Sequence, residues 1–315
     1  LFPRWLSSLP KSGGWMNNIK VVLGFIELAF GLKFLSVADL TYHWGILDRE
    51  IFLAIWIVIF FLMGLYLLGK IKFRHDSDVA HVSVPRLALV IVTFSFVVYM
   101  IPGMFGAPLK MLSGFIPPQT THDFDIREIV RDELNTMQII SSSNASQGKY
   151  ELCDPKPKYS DFLHLPHGLK GYFDYDQGIA CAKERNKPVF IDFTGHGCVN
   201  CRKMEDQVWA EPEVLKRLRN DYLIITLYTD DKTTLAEEEW VPASESSSGK
   251  VIRELGRKLA DFQIKRFGQN SQPQYVLLDT NGEKLINETK GYNPDVADFI
   301  RFLDAGLKEF EKRHK

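Results

Sequence analysis

Cys198 and Cys201 stand with two residues between them, in the order Cys198-Val199-Asn200-Cys201. Two thiols at this spacing can close to a disulfide and reopen, which is the chemistry of thiol–disulfide exchange. The residues in front, Val189–Phe193 (VFIDF), read as a buried strand, and the residues behind read as a helix. That placement puts Cys198 at a helix N-terminus, where unsatisfied N–H groups and the helix dipole favour a thiolate. Cys201 lies one turn on, close enough to attack a mixed disulfide formed by Cys198. A CxxC between a buried strand and a helix of an α/β unit is a specific signal, whereas the bare string is not.

Two acids frame the pair. Asp192 lies six residues before Cys198 within the apolar strand. Burial there would raise its pKa and let it shuttle a proton for the resolving thiol; the alternative is a surface-facing strand residue. Glu205, seven residues after Cys198, shares a helix face with both cysteines, or is a solvated helix carboxylate. Acids beneath the pair disfavour a strong oxidant and point to a reductant, while Arg202, Lys203 and His196 pull the other way. A zinc site needs four ligands. His196 would be a third after the two cysteines, but no second CxxC or HxxxH follows, so no metal is expected.

The elements that must hold these residues alternate. Helix is expected over 177–186, strand over 189–193 and helix from Cys198 toward Leu218. Strand 223–228, helix 249–264 and strand 275–278 follow. The turn Asn281-Gly282 then leads to a strand near 283–289 and a last helix over 294–312. This is an α/β domain with a mixed sheet, over 165–315. Pro273 heads a strand, which is ordinary by itself. In a thioredoxin-like layout this is where a cis-proline faces the CxxC, and Gln272 then offers backbone hydrogen bonds to a bound peptide. Cys153 and Cys181 complete the four cysteines. Cys181 reads as a buried helix residue, as half of a structural disulfide with Cys153, or as half of a second redox pair.

In front of that domain the chain changes character. Ile51–Gly69 is nineteen residues without a charge, and Leu87–Leu109 is twenty-three more, interrupted by Pro102 and carrying Pro108 at its end. Each is long enough to cross a bilayer core, which needs about 20 apolar residues of helix. Val21–Ala38 reads as a third span although it holds Glu27 and Lys33. Glu27, ionisable within a span, is a functional candidate or a side chain facing the bundle, and Lys33 does not share its helix face. Residues 1–115 are therefore expected to be an all-α membrane segment. Residues 116–164 are a linker, with an amphipathic helix over 125–139 and a Ser/Gly-containing connector over 141–148. Basic residues flanking the spans number three, one, four and one, which places the N-terminus and the second loop in the cytoplasm and exports everything after about residue 110.

The 315 residues carry 38 basic and 39 acidic side chains, a net charge of -1 that argues against a nucleic-acid partner. The near-neutrality averages two unlike parts. Residues 1–120 are basic, with a net charge of +4 and no cysteine; residues 121–315 have a net charge of -5 and hold all four. The chain opens on Leu1 rather than Met, just before a span, as a piece of a longer membrane protein would.

The stretch Pro188-VFIDFTGHGCVNCRKM-Glu205 resembles the C-terminal thioredoxin-like domain of the DsbD thiol:disulfide interchange family of cytochrome c biogenesis reductases. The upstream LPKSGGWMNNIKVVLGF resembles the later part of that family's membrane domain. The resemblance implies a membrane-anchored protein-disulfide reductase of the bacterial inner membrane, its redox domain in the periplasm. It also implies an electron donor in a cysteine-bearing membrane domain of the same longer protein, a disulfide-bearing exported acceptor, and no cofactor beyond the cysteine pair. Asp192 and Glu205 match the family's acids. Gly197 stands where the family usually has Trp, so the recognition rim formed with His196, Gln272 and Pro273 differs in shape. The insert Asp231–Lys250 is longer than the family's and reads as a solvated loop. Rival readings are an exported thiol oxidase or isomerase, and a non-catalytic docking module.

Overall fold

The computed structural model describes residues 14–74, 76, 81–126, 129, 130, 133 and 152–315. Its first part is three helices, α1 (Gly14–Tyr42), α2 (Arg49–Leu67) and α3 (Val84–Met100), each long and apolar enough to cross a membrane. Their outward faces carry exposed Leu23, Phe34, Val58, Val92 and Val98, the surface that an apolar solvent would cover. The inner faces pack on Phe52, Leu53, Trp56, Val97 and Met100, and the Trp56 indole N–H donates to the Ala29 carbonyl at 3.1 Å. A Cβ on Gly64 would stand 2.7 Å from the Phe94 ring, so the missing side chain lets α3 approach α2. The third span is helical only to Phe105. Pro102 tightens it into a 3-10 turn, and Gly106 ends it at a φ of 93° that favours glycine. Glu27 sits on the exposed face of α1 and Lys33 is half-buried further along.

Of the helix expected over 125–139, Asp125 is not helical and Ile126, Ile129, Val130 and Glu133 are; the remaining positions, and the connector 141–148, lie outside the described residues. Leu152, Cys153, Tyr159 and Phe162 pack against the core of the following domain and Leu163 is buried in it, because the Cys153–Cys181 disulfide draws this strand of chain onto a helix.

The second part is a four-stranded sheet in the order β1-β3-β2-β4. The strands are β1 (Gly171–Tyr172), β2 (Val189–Thr194), β3 (Leu223–Tyr228) and β4 (Gln274–Leu278). β1 and β2 run parallel to β3, whereas β4 is antiparallel to β2, giving a mixed sheet. The helices are α4 (Tyr175–Arg185), α5 (Val199–Met204), α6 (Pro212–Asn220), α7 (Leu255–Phe267) and α8 (Val296–Arg313). Alternation along β2 separates its faces. Phe193 meets Phe262 and Phe267 of α7, while Phe190 meets Trp209, Tyr275 and Phe299 of α8. Asp192 shares the Phe190 face.

Three expected elements differ. The helix from Cys198 toward Leu218 is broken: α5 passes into a π-turn at Glu205–Trp209, and α6 restarts at Pro212, which holds Glu211 extended. The helix expected from 249 starts at Leu255, because Ile252 is still paired with Val241 and Gly249 has a φ of 65°. The strand expected near 283–289 is reduced to bridges at Lys284 and Lys290. Those two are six positions apart where their partners Leu278 and Tyr275 are three apart, so the intervening chain bulges out of the ladder.

Candidate functional site

Cys198 caps the N-terminus of α5 and is closed in a disulfide with Cys201, their Cα atoms 5.3 Å apart. The Cys198 sulfur also accepts the Cys201 backbone N–H at 3.1 Å. Cys198 is half-buried and Cys201 fully buried, so an incoming group meets Cys198 first. A thiolate left on Cys198 by reduction would keep that N–H and the helix dipole as partners.

Three ionisable side chains, on the strand before the pair and the helix after it, are buried and interact with one another. Asp192 sits mid-strand between Thr226 and Tyr275, and burial pushes its carboxyl up to about 7 against the pull of the Arg202 charge. Glu205 is likewise pushed up to about 8 by burial, with Arg202 opposing and Asp192 and Asp206 adding to the rise. Arg202 bonds Glu205 at 2.7 Å and donates to the Thr194 hydroxyl at 3.2 Å. The surface-facing alternative for Asp192 and the solvated one for Glu205 do not hold, since both are buried. Two acids sharing one cation leave room for one proton near neutral pH.

The Gln272–Pro273 peptide is cis at the head of β4. The Gln272 side chain donates to the Thr229 hydroxyl, and a Cβ on Gly195 would stand 2.4 Å from the Gln272 amide oxygen, so Gln272 lies against the turn that leads into the CxxC. His196 is not on an open rim. It stacks on Tyr228 with ring centroids 4.6 Å apart, and its Nε2 lies 2.9 Å from Asp231 Oδ2. Gly197 is also covered: a Cβ there would stand 3.1 Å from Val37 of α1.

The membrane segment in fact closes over this end of the domain. Gly114, at a φ of 82°, lies so near Val199 that a Cβ would meet its backbone at 2.7 Å. Arg49, buried at the start of α2, holds the segment carrying Gly114 by donating to the carbonyls of Ala107, Pro108 and Pro117. The Lys232 N–H donates to the Thr41 carbonyl at the end of α1. The insert 231–250 is therefore anchored at its start, with Asp231 and Leu235 buried, although Glu237 and Glu238 are solvated.

Sequence reasoning missed Asp230, whose carboxylate accepts the N–H groups of His196 and Gly197 at 2.8 and 2.9 Å and so shapes the turn before Cys198. Its position just past the carboxyl end of β3, beside the strand that delivers the CxxC, was the available signal. His43 and Gly114 carry no such signal. Cys153 and Cys181 form a second disulfide, with Cα atoms 5.6 Å apart, between the start of the domain and α4.

Residues 175–307 match the family model described as a thioredoxin-like domain. Thiol:disulfide interchange protein DsbD of Pseudoalteromonas atlantica is 24% identical over 235 residues, covering 73% of this chain and 30% of that protein. DsbD 1 of Pseudomonas aeruginosa is 25% identical, covering 67% of this chain and 28% of that protein. DsbD 2 of the same organism is 36% identical over 64 residues, covering 20% of this chain and 11% of that protein. The chain thus spans about 30% of the length of the curated relatives it matches. Residues 175–307 form a thioredoxin-like domain carrying the closed Cys198–Cys201 pair, in a chain similar to the DsbD thiol:disulfide interchange proteins over about 70% of its length.

Proposed function

We propose that the chain is the membrane-proximal part and redox domain of a membrane-anchored protein-disulfide reductase. The observation that carries this reading is the closed CxxC at the start of α5, its outer cysteine half-buried, its inner one buried, and its rim seated against Val37 and Gly114 of the membrane segment. A redox pair seated on the membrane segment is placed to receive electrons from that side. Residues 1–120 hold no cysteine, so the donor is a cysteine pair elsewhere in a longer membrane protein.

In the reduced state the Cys198 thiolate attacks one sulfur of a partner disulfide, forming a mixed disulfide and expelling the partner's other sulfur as a thiolate. Cys201 gives its proton to the carboxylate of Asp192 and attacks Cys198. That step re-forms the Cys198–Cys201 disulfide and releases the second partner sulfur. Two electrons pass to the partner. The acceptor is an exported disulfide-bearing protein, cytochrome c maturation factors among them. The loops after α1 and α3 meet the redox domain at one end of the bundle while the basic loop after α2 lies at the other. This supports an inner-membrane protein with its redox domain in the periplasm. Glu205 tunes the pair through Arg202, and Gln272 and the cis-Pro273 line the peptide-binding side.

The test is Cys201→Ser in the native envelope. A reductase accumulates a mixed disulfide through Cys198 that dithiothreitol releases, and a non-catalytic docking module accumulates none. A reduction potential near that of strong oxidants would replace this reading with the oxidase or isomerase one.

A further inference from the structure

His43, His196 and Asp231 come from three distant stretches of chain and converge on one point. The two imidazole Nε2 atoms lie 2.8 and 2.9 Å from the same carboxylate oxygen, Asp231 Oδ2, and all three ligand atoms fall within 4.8 Å of one another. Each is held by other contacts. His43 sits at a φ of 56° in the turn after α1, where Asp39 accepts the N–H groups of Ile46 and Leu47 at 3.0 Å each and its carbonyl accepts that of Trp44. His196 lies in the turn capped by Asp230 and against the Tyr228 ring. The other oxygen of Asp231 accepts the Thr233 N–H at 2.8 Å, which aims Oδ2 at the imidazoles. Both imidazoles border a cavity of about 320 Å³ that His122 and His164 also line. Half of the chain's eight histidines therefore face one cavity where the membrane segment meets the redox domain.

We propose that His43, His196 and Asp231 bind one divalent first-row transition ion of the zinc class, through the two Nε2 atoms and the Asp231 carboxylate. Two imidazoles and one carboxylate form a donor set suited to such an ion and short of the six or more oxygens that calcium takes. A tetrahedral ion with bonds of about 2.0–2.2 Å sets its ligand atoms roughly 3.3 Å apart, so the side chains open by about 0.5 Å. Each imidazole then carries its proton on Nδ1 and presents the Nε2 lone pair. The fourth position belongs to a water from the cavity, which is far larger than the roughly 30 Å³ a water occupies. Because His43 belongs to the membrane segment and the other two ligands to the redox domain, the ion ties the two together beside the CxxC.

The experiment titrates Zn²⁺ into the full chain in detergent, with both disulfides closed so that no thiol competes. One ion per chain is expected, and Co²⁺ in its place should give the intense visible bands of a tetrahedral site without a thiolate charge-transfer band. His43→Ala and Asp231→Asn should each weaken binding at least tenfold, while His81→Ala leaves it unchanged. Absence of stoichiometric binding by the unmodified oxidised chain overturns the proposal. So does equal affinity in the His43→Ala/His196→Ala double variant.

Discussion

Gly114 of the membrane segment and Val199 of the redox motif stand so close that a Cβ on Gly114 would lie 2.6 Å from Val199 Cγ1 and 2.7 Å from its carbonyl oxygen. The φ of 82° at Gly114 is itself a conformation that other residues reach only under strain. Gly114→Val should therefore separate the two parts without touching the core of either. Amide hydrogen exchange is expected to rise at least tenfold at 37–43 and 196–201, with the β2 and β3 amides still protected. Unchanged exchange at both stretches would mean that the docked arrangement does not persist in solution.

The Asp192 carboxyl is pushed up to about 7 from the ordinary 3.8, so the folded protein binds a proton that the unfolded chain has released. Stability then falls as pH rises from about 4 to beyond 7, since the unfolded state binds fewer protons across that window. Asp192→Asn should raise the midpoint of thermal unfolding more at pH 8 than at pH 4.5. The same substitution should slow resolution of the mixed disulfide about 100-fold near pH 7, because a positioned base is lost. A melting difference independent of pH would contradict the buried titration, and an unchanged resolution rate would remove Asp192 from the proton path.

Arg202 is the cation that the buried acids Asp192 and Glu205 share. Arg202→Met leaves two carboxyls buried without it and should cost about 3–5 kcal/mol in denaturant unfolding of the full chain. Adding Glu205→Gln removes one acid and should recover a large part of that loss. An equal loss in the single and double variants would show that the side-chain packing of Arg202, rather than its charge, matters.

The Cys153–Cys181 disulfide closes a sequence separation of 28 residues. Replacing both by Ala should lower stability by about 2–4 kcal/mol while the Cys198–Cys201 pair keeps its exchange rate with a model disulfide. Loss of exchange at unchanged stability would instead assign these cysteines a redox role.

Much of this protein is legible in its sequence because the relevant physics is local. Apolar runs of spanning length, the VFIDF strand and the helix-initiating CxxC depend on neighbours a few residues away; the three long helices overlap the expected runs, β2 lies where expected, and α5 starts where expected. The exceptions are local too but subtler. Pro212 divides a helix, and the extra residues between Lys284 and Lys290 dissolve a strand that turn chemistry alone favoured.

What the sequence determined by itself was the kind of chemistry, a cysteine pair at a helix start, and the division into an apolar, cysteine-free part and an α/β part. Only the tertiary structure decided that Asp192, Arg202 and Glu205 are buried together, that Gly197 and Val199 are covered by Val37 and Gly114, and that His43 meets His196 and, across 188 residues, Asp231. Burial, close approach and convergence are properties of chain segments folded against one another, and no spacing along a single segment encodes them.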